Sequence, residues 1–340
     1  MDIRGKRLLV VGGAGFIGSH TIDELVKEDV KEIRVFDNFS RGKMENLRGA
    51  MTDPRVTLYP AGGELLHADV LQAATQGIDG VFHFAAMWLL HCWEFPASAF
   101  DVNIRGTFNV AEACANSSVK RLVFSSSASV YGDAVTEPMT EDHPFNNNTF
   151  YGASKIAGEQ IVRAHHHRYL KTENRFDYVA LRYFNVYGPR QDYRGAYVAV
   201  IMKMLDRIDK GLPPILHGDG SQAYDFIYVG DCARANVCAM KADATDRAYN
   251  VATGKKTSLR ELASTVFAVL GKEARIQYEP QTQSFVKNRL GSTARATEEI
   301  GFTAKNELRQ GIEELVKWRA SHIEEVEQRR REAGLPAEPP

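Results

Sequence analysis

The segment Gly12-Gly13-Ala14-Gly15-Phe16-Ile17-Gly18 restricts the folds open to this chain more than any other. It follows directly on an apolar strand signal, Arg7–Val11. It opens a helical pattern over Phe16–Lys27, with apolar Phe16, Ile17, Ile22, Leu25 and Val26. Glycines at 12, 15 and 18 permit a tight turn and let backbone N–H groups approach an anion, and the helix N-terminus adds partial positive charge at the same point. Strand, glycine turn and helix in that order predict a dinucleotide's pyrophosphate site; the glycine spacing alone would not. A second strand, Glu32–Phe36, leads into Asp37, 19 residues after Gly18. A carboxylate at that strand tip accepts hydrogen bonds from the adenosine ribose and repels a 2′-phosphate, so NAD is expected over NADP. Arg41 argues the other way, since a nearby guanidinium can serve a 2′-phosphate.

The first half of the chain continues to alternate. Arg55–Tyr59, Gly80–Phe84 and Arg121–Ser125 read as strands, with a helix over Ala97–Ala115. A second long helix, Tyr151–Tyr169, precedes a strand at Asp177–Arg182. Such alternation implies an α/β fold, a Rossmann doubly wound parallel sheet with helices on both faces. Near-continuous apolar runs such as LLVV and VFHF suit strands buried on both sides. Past residue 183 the pattern loosens. Short strands are expected at Ile215–His217 and Phe226–Val229, and helices at Ala196–Lys210, Asp231–Met240, Ser258–Leu270 and Leu308–Arg331. The expected organisation is an NAD-binding domain over 1–182, a mainly substrate-binding lobe over 183–333 and a frayed, Pro-rich tail over 334–340. No Gly/Ser-rich linker separates the lobes, so they should pack together.

Charge and cysteine content narrow the partners. Lys and Arg total 42 against 43 Asp and Glu, a net charge of −1. No global basic field exists to hold nucleic acid or an anionic membrane, so an anionic ligand must be bound by local groups. No stretch approaches the roughly 20 apolar residues of a membrane span, and Leu8–Val11 is too short for a signal-peptide core. Cys92, Cys114, Cys232 and Cys238 show no CxxC spacing and read as free thiols in a reducing compartment. A soluble, cytoplasmic protein is expected.

Tyr151-Gly152-Ala153-Ser154-Lys155 places a tyrosine and a lysine four apart, on one helix face. An ammonium nearby, together with the positive nicotinamide of oxidised NAD, favours the phenolate and lowers a tyrosine pKa that is ordinarily near 10. Tyr151 would then take a proton from a substrate hydroxyl while the carbon gives up hydride. Ser125-Ser126-Ser127 ends a strand 24 positions upstream, and a hydroxyl at that tip can hydrogen-bond the reacting oxygen. An i,i+4 surface pair and a strand-end cap are the plain alternatives. The combination behind a dinucleotide motif favours catalysis by Ser127, Tyr151 and Lys155. Asp69-Val70 is a candidate adenine contact.

These segments resemble the extended short-chain dehydrogenase/reductase family, and within it the NAD-dependent nucleotide-sugar epimerases typified by UDP-glucose 4-epimerase. The resemblance runs from about residue 6 to 320. GGAGFIG, DNFSRG, HFAA, NIRGT, FSSSASVYGD, YGASK, LRYFNVYGPRQ and GDGSQAYDFIYVGD carry it. It implies that Phe16 and Ile17 lie against the pyrophosphate, with Asn38, Ser40 and Arg41 of the DNFSRG segment beside Asp37. Phe84, Ala85, Ala86, Asn103 and Ser125 would line the cofactor, and Tyr183 would sit near the carboxamide. Ser127 and Asn185 would contact a nucleotide-sugar substrate. It also implies a homodimer through helices 97–115 and 151–169.

Within that family, 4,6-dehydratases carry an Asp-Glu pair after the catalytic hydroxyl residue and decarboxylases a Glu two positions on; here Ala128 and Ser129 follow Ser127. Oxidation and re-reduction at one carbon, an epimerisation at C4, is the economical reading. A dehydratase or reductase is the enzymatic alternative, and an NAD-binding sensor or scaffold the other. Two departures concern the phosphates. Tyr224 stands where the family has an arginine, and a second expected arginine is missing around Thr282–Phe285, which leaves Arg190, Arg194 or Arg289 to compensate. Trp88 and Trp93 suggest an aromatic wall or core packing. His165-His166-His167 cannot converge on one metal ion, since consecutive helical residues point about 100° apart, and reads as a solvated face. Arg329-Arg330-Arg331, set among glutamates, reads as an exposed mixed-charge helix.

Overall fold

The computed structural model describes residues 1–173, 175–192, 200–280 and 286–333. Its centre is a seven-stranded, all-parallel sheet. Six strands come from the first 183 residues: β1 (Arg7–Val11), β2 (Glu32–Phe36), β3 (Val56–Leu58), β4 (Gly80–His83), β5 (Arg121–Ser127) and β6 (Asp177–Tyr183). The order across the sheet is Arg247–Val251, β6, β5, β4, β1, β2, β3. The chain winds outward from β1 through β2 to β3, then returns to lay β4 on the other side of β1. The strand order reverses there, which opens a crevice at the carboxyl ends of β1 and β4.

The LLVV run shows why this sheet must be covered twice. Leu8 and Val10 pack in one apolar cluster with Ile22 and Leu25 of helix α1 (Phe16–Val26), while Leu9 and Val11 pack in another with Val110, Cys114 and Val162. All four are fully buried. Successive strand residues face opposite sides, so each side needs its own helical layer. The helix Val229–Lys241 covers α1's side, where Asn236 donates to Thr21 Oγ1 at 3.3 Å. The helices Gly106–Ala115 and Phe150–Tyr169 cover the other.

The doubly wound fold is as expected, and β1 and β2 keep the boundaries read from sequence. Three elements differ. Arg247–Val251 lies in the central sheet, paired with β6, although the sequence pattern past residue 183 showed no strand there. The Ala97–Ala115 helix is composite: Pro96–Ala99, a π-helical turn over Phe100–Arg105, then Gly106–Ala115. The pattern over Leu308–Arg331 is two helices, Leu308–Ser321 and Ile323–Glu332. They part at His322, whose backbone leaves the helical region (φ −132°, ψ 42°) while its ring bonds the Trp318 carbonyl at 2.9 Å. Smaller elements complete the second lobe: Asn185–Tyr187 pairs with Phe226–Tyr228, and Ala223–Tyr224 pairs with both Thr257–Ser258 and Asn288–Arg289.

Candidate active site

A cavity of about 610 Å³ occupies the crevice between the sheet's carboxyl edge and the second lobe. Its floor is the glycine turn. Gly12 has φ +80°, and a Cβ there would lie 2.6 Å from Ala85 N. A Cβ on Gly18 would lie 2.3 Å from Gly12 O, so the turn can close on the helix only without side chains. Helix α1 starts with Gly15 as its N-cap, leaving the first-turn N–H groups without a capping side chain. Gly12, Gly15, Phe16, Ile17 and Gly18 all line the cavity. Asp37 sits beside them: Oδ2 accepts from Ala14 N at 2.9 Å and Oδ1 from Phe39 N at 2.8 Å. Burial pushes its carboxyl pKa up, and those two N–H groups oppose the shift. A side-chain-free cradle, a helix N-terminus and a fixed carboxylate fit the pyrophosphate and adenosine ribose of NAD.

Asn38, Ser40 and Arg41 also line the cavity. Asn38 donates to Glu64 Oε2 at 2.9 Å. Arg41 turns away from a 2′-phosphate role: it pairs with Asp192 at 3.0 Å and its guanidinium stacks 3.8 Å over the Trp88 ring. Trp88 is therefore part of the cavity lining, while Trp93 is 53% exposed and absent from it.

The chemical groups come from β5 and the long helix. Ser127 ends β5 in register with Tyr183 of β6, and its Oγ accepts from Ser129 N at 3.1 Å. Thr149 caps the helix Phe150–Tyr169 by accepting from Gly152 N at 3.1 Å, and so sets the first turn that carries Tyr151. Ser127 and Tyr151 both line the cavity, and Ser127 acts to hold the Tyr151 pKa down. Lys155, one turn on and 4% exposed, donates to the Ser125 carbonyl at 2.7 Å, with its Nζ 5.7 Å from the Tyr151 ring centre. Ser125, Ser127, Tyr151, Lys155 and Tyr183 thus meet on the cavity wall.

The protein's own groups do not lower the Tyr151 pKa as the Tyr-Lys spacing suggested. Burial pushes its hydroxyl up to about 12, against smaller lowering effects from Ser127, Arg41 and Arg289. Burial also holds Lys155 down to about 8. The ammonium alone therefore does not make Tyr151 a base near neutral pH, and the added positive charge of an oxidised nicotinamide acts in the required direction.

An ion pair absent from the sequence reading fixes this wall from behind. Arg182 of β6 holds Glu159 of the long helix bidentately, at 2.9 and 2.7 Å, and donates to the Tyr131 hydroxyl at 2.9 Å and the Glu141 carbonyl at 2.8 Å. Ser126 donates to the same Glu159. The signal was available: Glu159 lies eight residues after Tyr151 on the same helix face, and Arg182 interrupts an apolar strand.

Residues 8–252 match the NAD dependent epimerase/dehydratase family. The chain belongs to this family. Over 314 residues it is 32% identical to the putative UDP-glucose 4-epimerase of Methanocaldococcus jannaschii, covering 92% of this chain and 97% of that one. The family fold extends to solved structures. The UDP-N-acetylglucosamine 4-epimerase of Methanobrevibacter ruminantium, in complex with UDP-N-acetylmuramic acid, superposes with a TM-score of 0.86 at 35% identity, over 94% of this chain and 99% of that one. The UDP-glucuronic acid 4-epimerase of Bacillus cereus, in complex with UDP-glucuronic acid and NAD, gives 0.83 at 25% identity, over 93% and 99%.

Several expected site residues of this epimerase/dehydratase-family chain lie elsewhere. Asp69 is exposed and Val70 packs on the core, both in the helix Ala68–Ala74; Gly63, Glu64 and Leu65 line the cavity instead. Asn103 stands behind the wall, bonding Met87 N at 2.7 Å and Ser154 Oγ at 3.0 Å, and so positions the Met87–Trp88 loop while Phe84, Ala85 and Ala86 line the cavity. Arg190 reaches the cavity but pairs with Asp23 of α1 at 2.7 Å. Asn185, Tyr224 and Arg289 line the second-lobe part, where the Tyr224 hydroxyl donates to the Val286 carbonyl at 2.9 Å. Arg194 and Thr282–Phe285 lie outside the described residues, as does the tail 334–340.

Two side-chain runs read as solvated are largely buried. His165 bonds Glu112 at 2.9 Å and His166 the Phe176 carbonyl at 2.8 Å, because the long helix is covered on more than one face; only His167, paired with Asp246, is exposed. Arg329 and Arg330 are 3% and 2% exposed, with only Arg331 in solvent. Cys92, Cys114, Cys232 and Cys238 are free thiols.

Proposed function

We propose that this protein interconverts a nucleotide sugar and its C4 epimer through a transient 4-keto sugar. The observation that carries the reading is the convergence of Ser127, Tyr151 and Lys155 beside a dinucleotide cradle with no second acid at that wall. The acids lining the cavity among the described residues are Asp37, Glu64 and Asp192. Asp37 follows β2, Glu64 lies between β3 and the helix Ala68–Ala74 and accepts from Asn38, and Asp192 is tied to Arg41. NAD, when bound, supplies the acceptor and donor for the C4 hydride. The Ser127 Oγ holds the substrate O4 and Tyr151 Oη takes its proton as C4 is oxidised. Lys155 holds positive charge near Tyr151 while the Tyr151 hydroxyl is deprotonated and ready to take that proton. In the return half, the 4-keto sugar turns to present its other face and Tyr151 gives the proton back to O4. Atoms and electrons balance with nothing consumed.

The substrate end rests on the lobe over 183–333. Asn185, Tyr224 and Arg289 face the cavity there, and Arg289 lies in register with Tyr224 on the neighbouring strand. A guanidinium missing at 224 is thus replaced one strand over, and Arg289 is the cation we assign to the diphosphate. Phe100 and Phe108 in segment 97–115, exposed by 54 and 45%, and Phe150 at the start of the helix Phe150–Tyr169, exposed by 55%, support a homodimer through helices 97–115 and 151–169. Four unpaired cysteines support a cytoplasmic setting.

Incubation with UDP-, GDP-, CDP- and dTDP-sugars without added cofactor, followed by NMR, tests the reading. Formation of a C4 epimer is expected. Loss of water, or net NADH formation, would assign the chain to the dehydratases or reductases instead.

A further inference from the structure

The helix Ile323–Glu332 closes one side of the dinucleotide cavity with a cation that the reaction does not use. Its buried side chains are Val326, Arg329 and Arg330. One valine is a small apolar anchor, and Ile323 at the helix start is 64% exposed, so polar contacts rather than apolar burial seat this helix. Arg329 lines the cavity. It donates through Nη2 to Asn46 Oδ1 at 2.6 Å, through Nη1 to the Arg190 carbonyl at 3.0 Å, and through Nε to Glu325 at 3.1 Å. Asn46, 2% exposed, donates in turn to the Ala14 carbonyl at 2.7 Å, inside the glycine turn. Two hydrogen bonds therefore connect the last described helix to the turn that faces the pyrophosphate. A buried guanidinium is costly unless its surroundings supply partners. Here the partners come from three separate segments, so the arrangement exists only when all three are in place.

Three ion pairs join the same regions: Asp23 to Arg190 at 2.7 Å, Arg41 to Asp192 at 3.0 Å and Lys43 to Glu332 at 2.5 Å. Their N-terminal partners, with Asn46, lie on α1 and the loop after β2, the segments that flank the glycine turn. Their C-terminal partners are the segment around Arg190 and the final helix.

We infer that the helix Ile323–Glu332 is a latch on the dinucleotide site, with Arg329 as its positioning residue. It holds the glycine turn and the loop after β2 around the bound dinucleotide and sets the rate at which that dinucleotide exchanges. This rests on the NAD reading of the cavity and deepens it. A reaction that returns hydride to the carbon it left has no need to release its dinucleotide between turnovers, so a site held shut from the far end of the chain does not limit it.

The test compares the full chain with a chain ending at His322, with Arg329→Met, which keeps the stem and removes the donors, and with Arg329→Lys. Each is loaded with NAD and chased with an excess of fluorescent etheno-NAD, well below the unfolding midpoint; circular dichroism confirms the fold. The truncated chain and Arg329→Met should exchange roughly tenfold faster or more, the scale of losing a charge-assisted hydrogen bond, with Arg329→Lys in between. Exchange within about twofold of the full chain in folded Arg329→Met overturns the latch, and that variant decides alone where the truncated chain does not fold. A purely structural role would lower the midpoint and leave exchange unmoved. A full chain that takes up no NAD overturns the dinucleotide reading itself, before any variant is compared.

Discussion

Ser125 and Ser127 stand on a seven-residue strand paired along its length with β6, with Arg182 and Glu159 clamped behind it. Tyr224 and Arg289 stand on strands of two residues each, in a three-stranded sheet at the margin of the second lobe. The cavity thus combines a deeply supported part, where we place the chemistry, with a lightly supported part that would read the substrate. Proton and hydride transfer tolerate little misplacement. Recognition of a diphosphate or a sugar is a sum of contacts that short strands and loops can alter one at a time.

Four outcomes would sharpen or break that contrast. Tyr151→Phe removes the hydroxyl we propose as proton acceptor and keeps the ring, so turnover should fall by about 10²- to 10⁴-fold with NAD still bound. Unchanged turnover by NMR would remove Tyr151 from the chemistry. Glu159→Ala strands Arg182 in the interior and should cost about 3–5 kcal/mol in denaturant unfolding. A loss under about 1 kcal/mol would mean that the clamp does not support the wall. Arg289→Ala should weaken nucleotide-sugar binding roughly 10- to 100-fold by calorimetry, the range of one to two charge-assisted hydrogen bonds, and leave the unfolding midpoint nearly unmoved. An equal loss of stability would erase the distinction between the two parts.

The smallest effect is a pH dependence. Burial holds Lys155 at about 8 in the folded chain, against about 10.4 when unfolded. Below pH 8 both states carry the proton and the folded state bears the full cost of burying it. Between about pH 8 and 10 the unfolded chain binds more protons, so this group's contribution to stability rises with pH. Lys155→Met should lose that rise, seen as a change in the midpoint difference between the two proteins from about pH 7.5 to 9.5. A constant difference would place the Lys155 pKa outside that window.

What the sequence made legible follows the same division. β1 and β2 read true because a strand buried on both faces is apolar throughout, and the glycine turn and Asp37 because their spacing is set by local chain geometry. Arg182 and Glu159 went unseen because they meet across 23 positions, and local patterning carries no term for such a pairing. Glu64-Leu65 and Asp69-Val70 are similar acid–apolar pairs. Leu65, 3% exposed and seated against Gly106, fixes the first at the cavity, a contact that spans 41 residues. The histidine and arginine runs look solvated in sequence because a charged or polar run usually faces water. Burial by a second neighbour is a tertiary fact, as are the partners that make burying those charges tolerable.

The seventh strand also bears on how the protein is made. Arg247–Val251 pairs with Val179–Tyr183, so β6 has a bare edge until residue 251 has been synthesised. A fragment cut at the apparent end of the nucleotide half, near residue 182, would present that edge as a template for another chain. It would also lack the helix Val229–Lys241 that covers α1. The strand that covers that edge lies some 64 residues downstream of β6 in the chain. A fragment meant to keep the central sheet whole should therefore carry the chain through residue 251.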